Sequence, residues 1–273
     1  MHRHSMVWIT EWSAKFILPY PIEQVMKIGI IGTGNIGGVL AAKLSALGHD
    51  VRVANSRGVE GVRAFAEGIC ATAVDARGAV QDVDVVILSI PFPAIEQLPI
   101  DLFAHAPEGL TIIDTGNYYP DMRDPRVPEI DAGLPESVWV SQRLGRPIIK
   151  AFNNILAFSL AELGRAAGDA DRLAIAVAGD DDVGKALASQ LVNDVGFEAV
   201  DAGTLSESWR QQPSTPCYCC DFGPEQMRNA LAAAIPGEAP KKRDRLMEQY
   251  SKLGPYPTHA DIVESNRTTN AVD

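Results

Sequence analysis

The sequence is short of positive charge. Its 24 lysines and arginines stand against 35 acidic residues, which gives a net charge of -11. Neither a phosphate backbone nor an anionic membrane surface would be attracted by this balance, so we expect no nucleic-acid or membrane partner. Long apolar runs are lacking as well, because none approaches the roughly 20 residues that a membrane span needs.

Cysteine is scarce too, with four residues in 273, three of them bunched between Cys217 and Cys220. This usage is typical of a reducing cytoplasm rather than a disulfide scaffold. The C-x-x-C lacks a second pair or a suitably spaced histidine, so no metal site is predicted.

The N-terminus is not a signal peptide, because Glu11 and Lys15 interrupt its apolar residues. We interpret residues 1–25 as an extension upstream of the fold, or as an arm that packs on a neighbouring subunit.

The most informative stretch that is present begins at Lys27. An isoleucine-rich run, Lys27–Ile31, predicts a buried parallel strand, and an amphipathic helix pattern follows to Leu47. Between them lies a complete G-x-G-x-x-G, formed by Gly32, Thr33, Gly34, Asn35, Ile36 and Gly37. Strand, glycine turn and helix in this order predict dinucleotide binding. The helix N-terminus offers N–H groups and partial positive charge to the phosphates.

The residues after the second predicted strand, Asp50–Ala54, indicate which dinucleotide is bound. NAD-binding sites place an acid here for the ribose 2′-hydroxyl, whereas NADP-binding sites avoid that charge and supply a cation. This chain has no acid at the position and continues with Asn55, Ser56 and Arg57. Arginine can grip a phosphate in a bidentate way, so the sequence favours NADP(H).

The remaining strand patterns predict an α/β fold with a doubly wound, mostly parallel sheet of the Rossmann type. A late strand–helix–strand unit is expected to extend the sheet, and a small helical segment follows it. We predict three regions: an extension at 1–25, an NADP-binding domain at 26–205 and a helical extension at 206–273, with helices at 225–235 and 241–253 and a polar tail. The later predicted strands are 69–74, 83–90, 111–114, 147–152, 173–178 and 197–200.

Several motifs resemble those of the NADP oxidoreductases that depend on the deazaflavin coenzyme F420. They are the glycine turn, Asn55-Ser56-Arg57, Ser89-Ile90-Pro91, Ile113 to Asn117, Lys150 to Asn153, Ala178 to Asp181 and Val200 to Gly203. The resemblance covers about residues 26–205 and leaves the extension at 206–273 unmatched.

The resemblance implies roles for individual residues. Thr33, Asn35 and Ile36 would line the pyrophosphate turn, and Ser56 with Arg57 would hold the 2′-phosphate. The residues implied around the nicotinamide are Ile90, Pro91, Asn117 and Asn153.

The expected activity is hydride transfer between NADPH and a flavin- or deazaflavin-like small-molecule acceptor. Such chemistry mainly requires two rings held face to face with water excluded, which suits a site walled by Ile90, Pro91 and Phe152. The alternatives are a carbonyl or imine reductase and a non-enzymatic NADP sensor. A reductase of that kind needs a proton donor, for which Lys150 and Tyr118 are weak candidates, and the catalytic residues are otherwise unassigned.

A β-hydroxyacid dehydrogenase is disfavoured by length. Such enzymes need a sizeable helical domain after the Rossmann part, and only about 70 residues follow Ala202. The apolar stripes of the two predicted C-terminal helices cannot form a core of their own, so they must dock on the sheet or on a second subunit. We predict a homodimer in which residues 206–253 help to wall the acceptor site.

Overall fold

The structure is a computed structural model that describes residues 25–271. The predicted extension at residues 1–25 therefore lies, apart from Val25, outside the described residues. The strands are β1 (Lys27–Ile31), β2 (Asp50–Ala54), β3 (Thr72–Ala73), β4 (Val85–Leu88), β5 (Thr111–Asp114), β6 (Ile149–Lys150), β7 (Ala174–Val177) and β8 (Glu198–Asp201).

Helices alternate with the strands and then dominate the C-terminal part. They are α1 (Gly37–Ala46), α2 (Gly58–Gly68), α3 (Ala76–Val80), α4 (Pro128–Asp131), α5 (Glu136–Leu144), α6 (Ala157–Glu162), α7 (Asp182–Asp194), α8 (Pro224–Ala233), α9 (Glu238–Arg243), α10 (Leu246–Ser251) and α11 (His259–Asn270). In the described part of the chain, 3₁₀ helices cover Phe92–Gln97 and Leu205–Gln211. Among residues 25–271, no helix is long and apolar enough to cross a bilayer.

The main sheet has six strands in the order β3-β2-β1-β4-β5-β6. The pairs β1–β2, β1–β4, β2–β3 and β5–β6 are all parallel. This is the strand order of the dinucleotide-binding Rossmann fold. The predicted fold class is confirmed.

The chain divides into two compact units, of which the first holds residues up to Ser89 together with Asp101–Leu110. β1 is its central strand, with Ile28 and Ile30 fully buried. Gly29 lies between them, and a Cβ there would come within 1.6 Å of the Ala79 carbonyl oxygen. Only glycine therefore lets α3 rest directly on β1. Ile31 is paired with Ala54 and Leu88, so β1, β2 and β4 end at one edge.

The second unit holds Ile90–Ile100 and everything from Thr111 onwards. Here the structure corrects one prediction. The late strand–helix–strand unit exists, but β7 and β8 form a separate two-stranded parallel sheet instead of extending the main one. β7 meets β6 only through an antiparallel bridge between Lys150 and Ala178. β6 is two residues long and ends before Phe152, whose φ of 60° turns the chain away, so no longer ladder can form.

The C-terminal segment packs on this smaller sheet. The apolar stripe of α8, which includes Met227 and Leu231, joins a buried cluster with residues of β7 and β8. The stretch predicted as one helix at 241–253 is divided into α9 and α10, because the chain departs from helical geometry at Arg245. The polar tail contains a helix that the sequence analysis missed. This helix, α11, starts at a capping box in which Thr258 and Asp261 bond reciprocally.

Three predicted strands, 69–74, 83–90 and 147–152, are each four residues shorter than expected, and the first and last of them contain a residue with left-handed φ. The stretch 69–74 contributes only Thr72 and Ala73 as β3, because Cys70 adopts φ 58° in the turn after α2. The stretch 147–152 is likewise reduced to β6 by Phe152. Residues with left-handed φ cannot continue a pleated strand. The proposed division at residues 25 and 205 stays a prediction.

Candidate active site

The glycine turn of the first unit has the features that a pyrophosphate site requires. Gly32 adopts φ 104°, a value that favours glycine. Gly34 is exposed, and a Cβ built there would have no atom within 4 Å. No side chain caps the N-terminus of α1. The turn therefore presents open backbone beside an uncapped helix end, which fits an anionic ligand.

The last glycine of the motif has a packing role. A Cβ on Gly37 would lie 2.1 Å from the Gly32 carbonyl oxygen and 2.8 Å from Cβ of Ser89. Only glycine fits where α1 starts against the end of β4. The last glycine of a dinucleotide-binding turn commonly serves such close helix–strand packing.

The residues after β2 are joined to the glycine turn. Asn55 Nδ2 donates to Thr33 Oγ1 at 3.2 Å, while Asn55 Oδ1 accepts from the Arg57 backbone N–H at 2.9 Å. Asn55 thus ties the turn after β2 to the glycine turn through both polar atoms of its side chain. Ser56 and Arg57 are exposed at the start of α2, and the guanidinium has no hydrogen-bond or ion-pair partner within residues 25–271. An exposed cation here fits a 2′-phosphate.

The residues predicted to surround the nicotinamide belong to the second unit. Asn117 and Asn153 form a reciprocal pair, with Asn117 Nδ2 donating to the Asn153 carbonyl at 2.9 Å and Asn153 Nδ2 donating to Asn117 Oδ1 at 3.1 Å. Gln211, which is fully buried, donates to Asn153 Oδ1 at 2.8 Å and to the Ala176 carbonyl at 3.2 Å. Asn153 also donates to the Gln211 carbonyl at 2.8 Å.

The two asparagines differ in how much hydrogen-bonding capacity they have left for a ligand. Asn153 is 2% exposed, and both its side-chain oxygen and its nitrogen are engaged by neighbours. Asn117 is partly exposed and retains hydrogen-bonding capacity, since an amide nitrogen has two hydrogens. Ile90 is partly exposed and Pro91 is exposed at the start of the 3₁₀ helix Phe92–Gln97. Their contact with a cofactor stays a prediction.

The two weak candidates for a proton donor are tied into the protein. Lys150 is fully buried, and its Nζ donates to Asp114 Oδ2 at 2.6 Å and to the Gly116 carbonyl. The hydroxyl of Tyr118 accepts from the Val127 N–H at 2.7 Å and reaches Asp131 at 3.4 Å. Burial raises the pKa of Tyr118 above its usual value, so the phenol keeps its proton.

The sequence analysis missed a third titratable group, Glu136, the first residue of α5. It is fully buried, and its Oε2 accepts from the Tyr118 backbone N–H at 3.1 Å. Burial raises the pKa of this carboxyl group, although the charge of Lys150 opposes the change. In sequence, Glu136 has the appearance of an ordinary first-turn acid that complements a helix dipole. Its place after Pro135 and a Gly-Leu turn gives no signal of burial.

Comparisons with known proteins point in one direction. Residues 27–118 match the family described as coenzyme F420-dependent NADP oxidoreductase. The protein YjhV of Escherichia coli strain K12 is 46% identical over 103 residues, which span 38% of this chain and 75% of YjhV. The hypothetical protein SMa0349 of Sinorhizobium meliloti has a similar structure, with TM-score 0.59 and 28% identity, covering 72% of this chain and 95% of that one.

A further solved structure has the same fold. It is a protein of Arthrobacter sp. FB24 assigned as an F420-dependent NADP reductase, with TM-score 0.53 and 19% identity over 67% of this chain and 87% of that one. The family match identifies the Rossmann sheet with its open glycine turn as that of an NADP(H)-binding oxidoreductase. The chain belongs to the family of coenzyme F420-dependent NADP oxidoreductases.

Proposed function

We propose that the protein transfers a hydride between NADPH and a flavin- or deazaflavin-like acceptor. NADPH, when bound, supplies the hydride from its nicotinamide ring. Thr33 and the turn Gly32–Gly37 would hold the pyrophosphate, and Arg57 with Ser56 would hold the 2′-phosphate. On the nicotinamide side, the open amide of Asn117 would bind the ring, and Asn153 would position Asn117.

The observation that supports this proposal is the engagement of Lys150 and Tyr118. The ammonium of Lys150 is fully buried between Asp114 and the Gly116 carbonyl, and the Tyr118 hydroxyl accepts a backbone N–H. Reduction of a carbonyl or imine needs a proton donor beside the nicotinamide. Hydride transfer to a flavin-like ring mainly needs alignment of two rings and exclusion of water. The arrangement favours the second chemistry.

A carbonyl or imine reductase is the second candidate, and Glu136 is the observation that favours it. Burial raises the pKa of this carboxyl group, and in its protonated form it could donate a proton to a developing alkoxide or amine. In that case the proton donor would be an acid that none of the sequence motifs marks.

Stereospecifically deuterated NADPH tests both candidates. We expect transfer of deuterium to lumiflavin or a 5-deazaflavin, with a primary isotope effect and with no turnover of small ketones or cyclic imines. Turnover of ketones or imines alone would favour the second candidate. NADPH binding without turnover of any acceptor would favour a sensor.

We also propose that the chain forms a homodimer through residues 206–271. The apolar face of α8 packs on β7 and β8 of its own chain, so it gives no support for a subunit interface. Support comes from apolar side chains that remain exposed on the same segment, namely Ile235, Met247 and Tyr256, which are 48%, 63% and 92% exposed. Light scattering should give a dimer for the wild type and a monomer for Met247→Glu/Tyr256→Asp. A wild-type monomer would reject the proposal.

A further inference from the structure

The second unit contains a cavity of about 390 Å³ that none of the predicted site residues lines. Three segments line it: residues 130–136, from α4 to the start of α5; residues 206–213, in the 3₁₀ helix Leu205–Gln211 and the loop after it; and residues 235–243, which include α9. The last two belong to the extension beyond residue 205. The volume lies within the range of small-molecule sites. Its apolar lining residues are Ile130, Leu134, Pro135, Trp209, Pro213, Ile235, Pro236, Ala239 and Pro240.

Two charged groups of opposite sign line this mainly apolar cavity. Glu136 is fully buried, and its Oε1 accepts no hydrogen bond of normal geometry from residues 25–271, although the side chain of Gln212 interacts with the carboxyl group. Arg243 is 7% exposed. Its guanidinium is held by Asp244 at 2.9 and 3.0 Å and lies 5.0 Å above the Tyr118 ring. A hydrogen-bond acceptor and a donor, both fixed by neighbours, therefore share one cavity.

These groups select a particular ligand chemistry. A carboxylate accepts an N–H, a guanidinium donates to a carbonyl oxygen, and an indole offers a flat apolar face. An anionic ligand would face Glu136 and a cationic one would face Arg243, so neither is favoured. A neutral planar ring with neighbouring N–H and C=O groups satisfies both residues and can pack on Trp209. The edge of the ligand is therefore an amide or an imide.

Two short connections link the lining of the cavity to the asparagine pair. Glu136 is bonded to the backbone of Tyr118, the residue after Asn117. Gln212 lines the cavity, and the preceding residue, Gln211, donates a hydrogen bond to Asn153. We propose that this cavity binds the hydride acceptor as a planar amide- or imide-bearing ring, with Glu136 and Arg243 as the residues that determine its specificity. The inference rests on the proposed function, because it assigns the second substrate of that reaction.

Binding of lumiflavin to the full chain without NADPH tests the assignment, with flavin fluorescence as the readout. The matched ligand is 3-methyllumiflavin, which keeps the ring and loses the imide N–H. A hydrogen bond to a charged group contributes about 1.5–3 kcal/mol, so we expect 3-methyllumiflavin to bind at least tenfold more weakly. Because both ligands are tested on the wild type, this comparison does not depend on a variant that folds.

Variants then assign the effect to residues. Glu136→Gln should weaken lumiflavin binding about tenfold and reduce the penalty of the methyl group, because the amide accepts a weaker hydrogen bond than the carboxylate. Trp209→Ala should remove most of the fluorescence quenching. Glu225→Gln, an exposed acid on α8, should change neither. Equal binding of the two ligands to the wild type, or lumiflavin binding unaffected by Glu136→Gln and Trp209→Ala, would overturn the inference.

The inference and the proposed function can fail separately. If lumiflavin binds with the expected dependence on the imide N–H but is never reduced by NADPH, the cavity is a ligand site and the proposed function is wrong. If lumiflavin is reduced while Glu136→Gln and N-methylation leave its KM unchanged, the activity stands and the cavity is not its site.

Discussion

The two polar clusters that contain the predicted site residues are built in different ways. In the first unit, Thr33, Asn55 and Arg57 lie on exposed or partly exposed turns, and their contacts join turns at the end of adjacent strands. In the second unit, Lys150 and Asn153 are buried within a network of side chains distant in sequence. Buried polar groups are costly when a partner is lost. Substitutions in the exposed cluster of the first unit should therefore mainly weaken cofactor binding. Substitutions in the buried cluster of the second unit should mainly destabilise the fold.

The largest expected effect is in the buried cluster. Lys150→Met removes the cation from Asp114 and leaves a carboxylate buried without its charge partner. We expect a loss of about 3–5 kcal/mol in the free energy of unfolding, measured with urea. The double variant Lys150→Met/Asp114→Leu should recover part of the loss, because no unpaired charge remains.

A surface ion pair in the same unit provides the control. Lys185 pairs with Asp201 at 2.7 Å, and the carboxylate side chain is 69% exposed. Lys185→Met should cost less than about 1 kcal/mol. Similar losses for Lys150→Met and Lys185→Met would show that burial of the Lys150–Asp114 pair is not the source of the cost.

The same contrast explains how much could be predicted from the sequence. The order of strand, glycine turn and helix around residues 27–57 was predicted correctly because these elements follow one another locally, and the binding roles of its residues stay a prediction. The pairing of Gln211 with Asn153 joins residues 58 positions apart, and no local pattern marks it. The separate β7–β8 sheet was missed because strand periodicity predicts a strand without naming its neighbour. Glu136 was missed because its burial is created by segments far along the chain.

A second prediction concerns two glycines of one motif in the exposed cluster. Gly37→Ala places a methyl group 2.1 Å from the backbone oxygen of Gly32, so the helix must move away from the strand. We expect it to lower the free energy of unfolding by about 1–3 kcal/mol as well as to weaken NADPH binding. Gly34→Ala meets no atom within 4 Å, so it should change stability by less than about 0.5 kcal/mol.

Gly34→Ala should nevertheless weaken NADPH binding, because the added methyl group occupies the open side of the turn. Urea titrations and NADPH fluorescence titrations of both variants separate the two effects. A stable Gly37→Ala protein, or undiminished NADPH affinity in Gly34→Ala, would show that the turn does not have the assigned roles.

The third prediction concerns Arg57, whose substitution should weaken NADPH binding without changing stability. Arg57 is exposed, so Arg57→Ala should leave the melting temperature unchanged. It should weaken NADPH binding ten- to hundredfold and leave NADH binding nearly unchanged, since one charge-assisted hydrogen bond to phosphate contributes about 1.5–3 kcal/mol. Arg63→Ala is the control, because Arg63 lies on the same helix and pairs with Glu60. An equal loss for NADPH and NADH would rule out a 2′-phosphate contact.

The smallest expected effect is a dependence of the free energy of unfolding on pH, caused by Glu136 of the second unit. Burial raises the native pKa of Glu136 above its ordinary value of 4.5, so the unfolded chain releases this proton at lower pH than the folded protein does. The folded protein therefore loses stability, relative to a variant without the acid, as pH rises from 4.5 through the native pKa. Over that pH interval, urea titrations should show the free energy of unfolding of Glu136→Gln rising relative to that of the wild type.

Glu207 is the opposite case, because hydrogen bonds from Thr204 hold its pKa below the ordinary value. Its contribution should be present above pH 4.5 and be lost as pH falls. If Glu136→Gln differs from the wild type by a constant amount at every pH, Glu136 is not a carboxyl group perturbed by burial, and its assignment to the cavity loses its electrostatic basis.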